Sequence, residues 1–330
     1  MVNQKAARGP PGRNRAGELS AKARILELLR KEAGSFVSGE TLGKALGISR
    51  VAVWKTAKRL QDAGYPIRAG EGGYRLNPGG GEDFLYPWEF GDRENLFYHW
   101  DSTDSTMNRA RDLAGRGIPG GTVIAAETQT AGRGRNGRSW ASSPGGLFFT
   151  LLERPDLAVA DYAQLTLAAH ISLGQAVAKA CGEETRLRWP NDVYVRGRKI
   201  AGILTELYGA GDRIVWMALG IGVNVNNPAA FRGSGSCAAI AGHPLSRRRL
   251  LLDILDSLAA VKKEGELVRR WNGAAEGIGR EVTDRGTRRS GDKTPEGGIF
   301  MGIDGSGRGI LKTASGLRFL PPGSASLRFV

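Results

Sequence analysis

A glycine- and arginine-rich segment, Gly132–Trp140 (GRGRNGRSW), constrains this chain more than any other feature. It contains the pattern G-x-G-x-x-G after an apolar, strand-like run, so a dinucleotide-binding turn must be considered. That turn needs a helix to begin at the glycines, but residues 139–146 (SWASSPGG) do not favour one. The Gly-Lys-Ser/Thr end of a Walker loop is also missing. The segment is therefore predicted to be a flexible loop anchored by Trp140.

This loop presents three guanidinium groups, from Arg133, Arg135 and Arg138. A guanidinium can bind phosphate oxygens through two hydrogen bonds, and glycines such as Gly132 let backbone N–H groups approach a ligand. The pattern predicts a site for a nucleotide whose phosphates need neutralisation during transfer. A disordered segment that binds RNA loosely is the alternative.

Two further segments carry candidate ligand-binding groups. In RWPND, the rigid Trp-Pro precedes Asn191 and Asp192, and Asp192 could bind the Mg²⁺ of ATP. Lys199 follows at a strand start and could meet a carboxylate or phosphate, while Gly202 allows close approach of a ligand. In residues 101–108 (DSTDSTMN), hydroxyls at a helix start could hold a polar ligand end. A plain turn, a solvated lysine and ordinary helix capping are the alternatives when each feature is taken alone.

The segment from Ser20 to Leu76 predicts a winged helix-turn-helix. Ser20, Ser38 and Ser49 can each cap a helix, Gly47 can end the second one, and a hairpin follows over 65–76. Residues 1–80 hold 15 Lys/Arg against 6 Asp/Glu, as expected for a module that binds a polyanion. A three-helix interaction module that does not bind DNA is the alternative. The expected DNA contacts are Ser49, Arg50, Val51, Trp54, Lys55, Arg59 and, on the wing, Arg68.

A chain of 330 residues is too long for one ordinary domain. We predict an α+β protein with a mixed or antiparallel central sheet covered by helices. Cys181 and Cys237 have no metal-site spacing, which fits a reducing cytoplasm. No signal peptide or membrane span is expected. The predicted parts are a basic tail (1–18), the winged helix-turn-helix (19–77), a linker (78–95), the central domain (96–275) and an SH3-like β-barrel (276–330).

Taken together, these motifs resemble those of the biotin protein ligases, in the bifunctional class with a winged-helix domain. GRGRNGRSW resembles that family's GRGRxGRxW, RWPNDVYVRGRKIAGIL resembles KWPNDxxxxxxKxxGIL, and LGIGVNVN resembles a G-x-G-x-N strand end. The resemblance implies a class II synthetase-like catalytic domain. It also implies ATP-dependent formation of biotinyl-5′-AMP with Mg²⁺, and transfer of biotin to a lysine of a biotin carboxyl carrier protein. The implied partners are that acceptor, operator DNA and a second copy of the chain when the adenylate is bound.

The resemblance also assigns roles to individual residues. Ser105-Thr106 is preferred over Ser102-Thr103 for the biotin ring, and residues 227–237 are expected to help cover the adenine. The implied catalytic residues are Arg135, Arg138, Lys199 and Asp192, with Asp192 near Mg²⁺. The implied biotin site comprises Ser105, Thr106, Gln129, Gly132, Arg133, Arg135, Trp140, Lys199, Gly202 and Gly222. The implied nucleotide site comprises Arg133, Arg135, Arg138, Arg188, Asn191 and Asn224.

Three alternatives remain open from the sequence. A regulator that binds biotinyl-AMP without ligase turnover would keep the same site. A lipoate ligase would use a related fold, although the arginine-rich loop argues against it. A dinucleotide-dependent oxidoreductase would need the helix that is missing after Gly137.

Overall fold

The computed structural model describes residues 19–32, 34–77, 83–284, 297–321 and 327–329. These residues fall into two compact units, the N-terminal unit up to His99 and the C-terminal unit from Trp100 onward. The predicted basic tail, residues 1–18, lies outside the described residues. Residues 276–330 are not separated from the rest of the C-terminal unit, so the predicted boundary at 276 stays a prediction.

The N-terminal unit has the predicted three helices followed by a hairpin. The hydroxyls of Ser20, Ser38 and Ser49 accept hydrogen bonds from backbone N–H groups in the first helical turns, and Gly47 ends the second helix with a φ of 68°. The wing begins two residues later than predicted because the Tyr65 N–H bonds the Leu60 carbonyl at the end of the third helix and Pro66 has no N–H to pair. The elements are Ala21–Lys31 (α1), Gly39–Leu46 (α2), Arg50–Asp62 (α3), Ile67–Gly70 (β1) and Gly73–Leu76 (β2).

The predicted linker, residues 78–95, differs from what its composition suggested. Residues 78–82 lie outside the described part, but two 3-10 turns follow, Pro87–Glu89 and Gly91–Leu96. Tyr86 and Trp88 are buried in the core of the N-terminal unit. Glycines and prolines indicated a flexible segment, whereas its aromatic side chains gain more by leaving water.

The central sheet has seven strands in the order β3-β4-β5-β9-β8-β7-β6. Neighbours from β4 to β6 in this order pair antiparallel, which agrees with the predicted sheet type. The predicted hairpin near Gly211 is the longest ribbon, formed by β8 and β9. The strands are Phe97–Trp100 (β3), Thr122–Ala126 (β4), Leu147–Glu153 (β5), Thr185–Arg188 (β6), Asp192–Val195 (β7), Arg198–Ala210 (β8) and Arg213–Val223 (β9).

Helices cover this sheet, and the longest of them, α5, packs against α7 and α8. None of the helices among the described residues is both long enough and apolar enough to cross a membrane. The helices are Thr106–Gly115 (α4), Tyr162–Cys181 (α5), Cys237–Ala241 (α6), Arg247–Glu264 (α7) and Leu267–Ala274 (α8).

The C-terminal residues form a second antiparallel sheet in the order β13-β12-β11-β10-β14. The predicted barrel is not established as closed, because no pairing between the two outermost strands is seen in the described residues. The sheet contacts the central domain through Trp189, whose Nε1 donates to the Gly307 carbonyl at 3.2 Å. The strands are Glu281–Asp284 (β10), Gly297–Ile303 (β11), Gly309–Thr313 (β12), Gly316–Leu320 (β13) and Leu327–Phe329 (β14).

Candidate active site

A cavity of about 700 Å³ lies on the central sheet of the C-terminal unit. This volume is in the range of small-molecule sites. The site residues expected from the sequence line it, with the exception of Gly132: Ser105, Thr106, Gln129, Arg133, Arg135, Arg138, Trp140, Arg188, Asn191, Asp192, Lys199, Gly202, Gly222 and Asn224.

The arginine-rich segment is a small hairpin in this structure, whereas the sequence predicted a flexible loop. The Gly134 N–H donates to the Arg138 carbonyl at 2.7 Å, and the Trp140 N–H donates to the Gly132 carbonyl at 2.8 Å. The turn uses positive φ angles at Asn136 and Gly137, which adjacent Asn and Gly residues tolerate. A Cβ on Gly132 would lie 2.6 Å from the Trp140 carbonyl oxygen, so glycine is needed to close the hairpin.

Two strand glycines make room for Trp140 rather than for a ligand directly. A Cβ on Gly222 would lie 2.5 Å from Cε2 of the Trp140 indole, and one on Gly202 would lie 3.1 Å from its Cζ3. The indole therefore lies against the sheet as a wall of the cavity. Its Nε1 is buried and has no acceptor among the described residues.

The start of α4 brings hydroxyl groups to one end of the cavity. Gln129 Oε1 accepts hydrogen bonds from the Thr106 N–H (2.8 Å) and hydroxyl (3.1 Å), and Gln129 Nε2 donates to Ser142 Oγ at 2.9 Å. The amide oxygen of Gln129 thus holds Thr106, and its Nε2 links the pair to Ser142. The Ser105 hydroxyl is buried without a partner among the described residues, so it can bond a ligand.

Asp104 fixes the loop that leads into α4. Burial raises its pKa, but hydrogen bonds from Asn108, the Ser105 N–H and Thr103, with the charge of Arg109, lower the pKa to about 2. The contacts of Asp104 leave its carboxylate ionised at neutral pH. Ser105 and Thr106 line the cavity, whereas the alternative pair, Ser102 and Thr103, does not.

An ion pair lies beside Trp140. Lys199 Nζ is 2.7 Å from Asp192 Oδ1 and 5.2 Å from the centre of the Trp140 ring. Arg135 Nη1 donates to Asn191 Oδ1 at 3.4 Å. Burial lowers the pKa of Arg135, and the nearby Asp192 opposes this shift. A partly desolvated guanidinium beside a lysine favours an anionic ligand here.

Two predicted phosphate ligands are engaged elsewhere. Arg133 Nη2 donates to Asn108 Oδ1 at 2.9 Å and lies 3.2 Å from Glu206 Oε1. Arg188 lines the cavity, but its Nε and Nη2 donate to the two carboxylate oxygens of Glu276 at 2.8 and 2.7 Å. A nucleotide role for Arg188 stays a prediction, and it requires this pair to open or to be shared.

The expected adenine end is formed in part by the segment 227–237. Ala230 and Phe231 line the cavity. Asn224 is buried, and its Oδ1 accepts a hydrogen bond from Asn227 Nδ2 at 3.1 Å. The side chain of Asn224 is thereby fixed at the end of β9.

The predicted DNA-reading residues lie on the outer face of α3. Arg50, Val51, Trp54, Lys55 and Arg59 are exposed, as is Arg68 on the wing. Ser49 is also exposed, but its hydroxyl accepts the Ala52 N–H at 3.2 Å and acts as the helix cap.

Comparison with known proteins decides the family. A model of the Biotin/lipoate A/B protein ligase family matches residues 100–224, and a model of an HTH domain matches 22–75. The Bifunctional ligase/repressor BirA of Bacillus subtilis (strain 168) is 34% identical over 318 residues, which cover 89% of this chain and 94% of that protein. This chain belongs to the biotin protein ligases, in the bifunctional ligase/repressor class.

Two further relatives agree with this assignment. The Biotin--[acetyl-CoA-carboxylase] ligase of Paracoccus denitrificans is 34% identical over 235 residues, covering 66% of this chain and 95% of that protein. The solved biotin protein ligase of Aquifex aeolicus, in complex with biotin and ATP, has a TM-score of 0.60 and 27% identity, covering 71% of this chain and 99% of that one. The predicted helix-turn-helix and the ligase-type central sheet are confirmed.

Sequence reasoning missed a buried histidine that holds the RWPND turn of the ligase. Trp271 Nε1 donates to His170 Nδ1 at 3.0 Å, so His170 carries its proton on Nε2 and donates it to the Asp192 carbonyl at 3.1 Å. Burial lowers the pKa of His170 to about 4. No sequence signal connects these residues, because they lie on three separate elements.

Proposed function

We propose that this ligase activates biotin with ATP to biotinyl-5′-AMP and transfers it to a lysine of a biotin carboxyl carrier protein. One observation carries the proposal: a single cavity is lined by a buried hydroxyl that has no partner among the described residues and by a cluster of cations. The hydroxyl is that of Ser105, and the cations are Lys199, Arg135 and Arg138. A ligand with a polar ring at one end and a carboxylate at the other matches this polarity.

In the first step, a carboxylate oxygen of biotin attacks the α-phosphorus of ATP, and pyrophosphate leaves. Lys199 would neutralise the carboxylate and the α-phosphate, and its ion pair with Asp192, which would orient the ammonium group, supports this role. The arginines of the hairpin would stabilise the charge that develops on the phosphate oxygens. In the second step, the carrier lysine attacks the acyl carbon of the mixed anhydride, an amide forms and AMP leaves. No protein nucleophile is required.

We infer that Mg²⁺ would be held largely by the phosphates of ATP. Among the described residues, no three His, Cys, Asp or Glu side chains are close enough to bind a metal together. Asp192 offers one carboxylate, which fits the one or two carboxylates that Mg²⁺ uses beside phosphates. The ion would supply charge neutralisation at those phosphates.

Replacement of Arg135 by alanine tests the role of the hairpin. We expect biotin adenylation to fall about 10²–10³-fold, as when one preorganised charge-stabilising group is removed. Arg186→Ala is the matched control, because Arg186 is exposed and, within the part of the chain that the structure describes, its ion pair is with the nearby Glu184. Unchanged adenylation in Arg135→Ala would contradict the proposed role.

We also propose that the N-terminal unit binds operator DNA as a homodimer when the adenylate is present. The exposed basic face of α3 and the basic wing support this proposal, since helix-turn-helix dimers read two half-sites. A cytoplasmic site of action is part of it and is supported by two free cysteines. A gel-shift assay on the promoter of the organism's biotin genes tests the repressor role. Absence of a shift at low salt, with adenylate bound, would refute it.

A further inference from the structure

The outer face of α3 carries two large apolar side chains in water. Val51 is 61% exposed and Trp54 is 56% exposed. They are three residues apart, so they are neighbours on one helical face. The opposite face is fixed in the core by Val53 and Leu60, both with no exposed surface. The orientation of the exposed pair is therefore set by the fold of the N-terminal unit.

Basic side chains surround this apolar pair. Arg50 precedes Val51, and Lys55 and Lys58 follow on the exposed side of the helix. Lys58 pairs with Asp62 at 3.2 Å, whereas Lys55 makes no ion pair with any residue that the structure describes. This charge complements a polyanion, and two copies of the face would repel each other.

An apolar side chain in the major groove of DNA has one apolar group to contact. That group is the 5-methyl of thymine, because the other groups on the base edges are hydrogen-bond donors and acceptors. Resting on the repressor function proposed above, we propose that Val51 and Trp54 select operator half-sites by contacting thymine methyl groups. Arg50 and Lys55 would then contact phosphates or guanine edges next to these thymines.

The probe is a duplex selected from a random-sequence pool by the full-length chain with biotin and ATP present. The selected duplex is remade with deoxyuridine for each thymidine, which removes the methyl group and leaves the base pairing unchanged. We expect each lost contact to weaken binding about fourfold, the equivalent of one buried methylene group. The double variant Val51→Ala/Trp54→Ala should bind both duplexes with the same affinity.

Two controls separate this inference from general effects. Lys55→Ala should weaken binding to both duplexes equally and lower the salt dependence of binding by about one counterion. The difference in affinity between the thymidine and deoxyuridine duplexes should persist in this variant. Helix content and thermal unfolding of the double variant should equal those of the natural chain, which shows that the N-terminal unit is folded.

The outcomes distinguish the inference from the function on which it rests. Equal binding of the two duplexes, or a deoxyuridine effect that persists in the double variant, overturns the inference and leaves DNA binding intact. Failure to select or bind any duplex at low salt refutes the repressor function as well. The inference is also overturned if Trp54→Ala abolishes a dimer that sedimentation detects without DNA and leaves the affinity for DNA unchanged. That result would assign the face to contact with a second copy of the chain.

Discussion

Replacing Gly222 by alanine places a methyl group inside the Trp140 indole. The added Cβ would lie 2.5, 2.6 and 2.8 Å from Cε2, Nε1 and Cζ2 of that ring. Ordinary contact begins at 3.4 Å, so the ring must retreat by 3.4 − 2.5 = 0.9 Å at its nearest atom. Gly222 lies on β9, which is paired on both sides, whereas Trp140 follows a hairpin at the sheet surface. The hairpin should therefore yield and the sheet should remain.

Overpacking of this kind costs about 1–3 kcal/mol. If this cost falls on the position of Trp140, adenylation of biotin should fall about 5- to 150-fold. The assay is the steady-state rate of adenylate formation over a range of biotin concentrations, with thermal unfolding measured beside it. The unfolding temperature should change little, because the strands of the sheet do not have to move.

Gly115→Ala is the matched control, since a Cβ there meets nothing within 4 Å. The effect of Gly222→Ala should also disappear in a Trp140→Ala background, as expected when two residues act through one contact. Normal adenylation in Gly222→Ala, or an equal loss in the Trp140→Ala background, would refute the reasoning. A large fall in the unfolding temperature would show that the sheet yields instead.

Three further substitutions test contacts around the site. Burial holds the pKa of His170 at about 4, below its usual 6.5, so its contribution to the free energy of unfolding should be fully present above pH 6.5 and fall by about 3 kcal/mol as the pH is lowered to 4. Denaturant titrations should show that His170→Asn loses this pH dependence. An unchanged pH dependence would contradict the assignment. Glu206→Gln should loosen Arg133 and speed release of labelled biotinyl-AMP about fivefold, the effect of about 1 kcal/mol, and unchanged release would show that the pair does not hold the hairpin. Glu276→Gln should leave Arg188 half-paired, cost about 2 kcal/mol and lower Tm by roughly 4–8 °C in thermal unfolding; an unchanged Tm would mean that the pair contributes nothing.

Local sequence signals predicted the parts of the fold that depend on neighbours in the chain. Ser20, Ser38 and Ser49 cap helices because their hydroxyls reach N–H groups three residues onward, a distance that the sequence fixes. The resemblance of the motifs likewise assigned Lys199 and Asp192 to one site, and their side chains form an ion pair.

Contacts between distant residues could not be predicted in the same way. Glu276 holds Arg188 across 88 residues, and neither residue carries a pattern that indicates the other. Gly222 was expected in the biotin site, but the space beside it is filled by Trp140, whose position depends on how the hairpin folds back. The hairpin itself is closed by backbone hydrogen bonds that glycine content alone does not predict.

Pyrophosphate exchange measures directly whether the cavity activates biotin with ATP. Purified protein is incubated with labelled pyrophosphate, ATP and Mg²⁺, with biotin, lipoate or neither. We expect incorporation of label into ATP only when biotin is present. Exchange with lipoate alone, or no exchange with biotin in a folded protein, would contradict it.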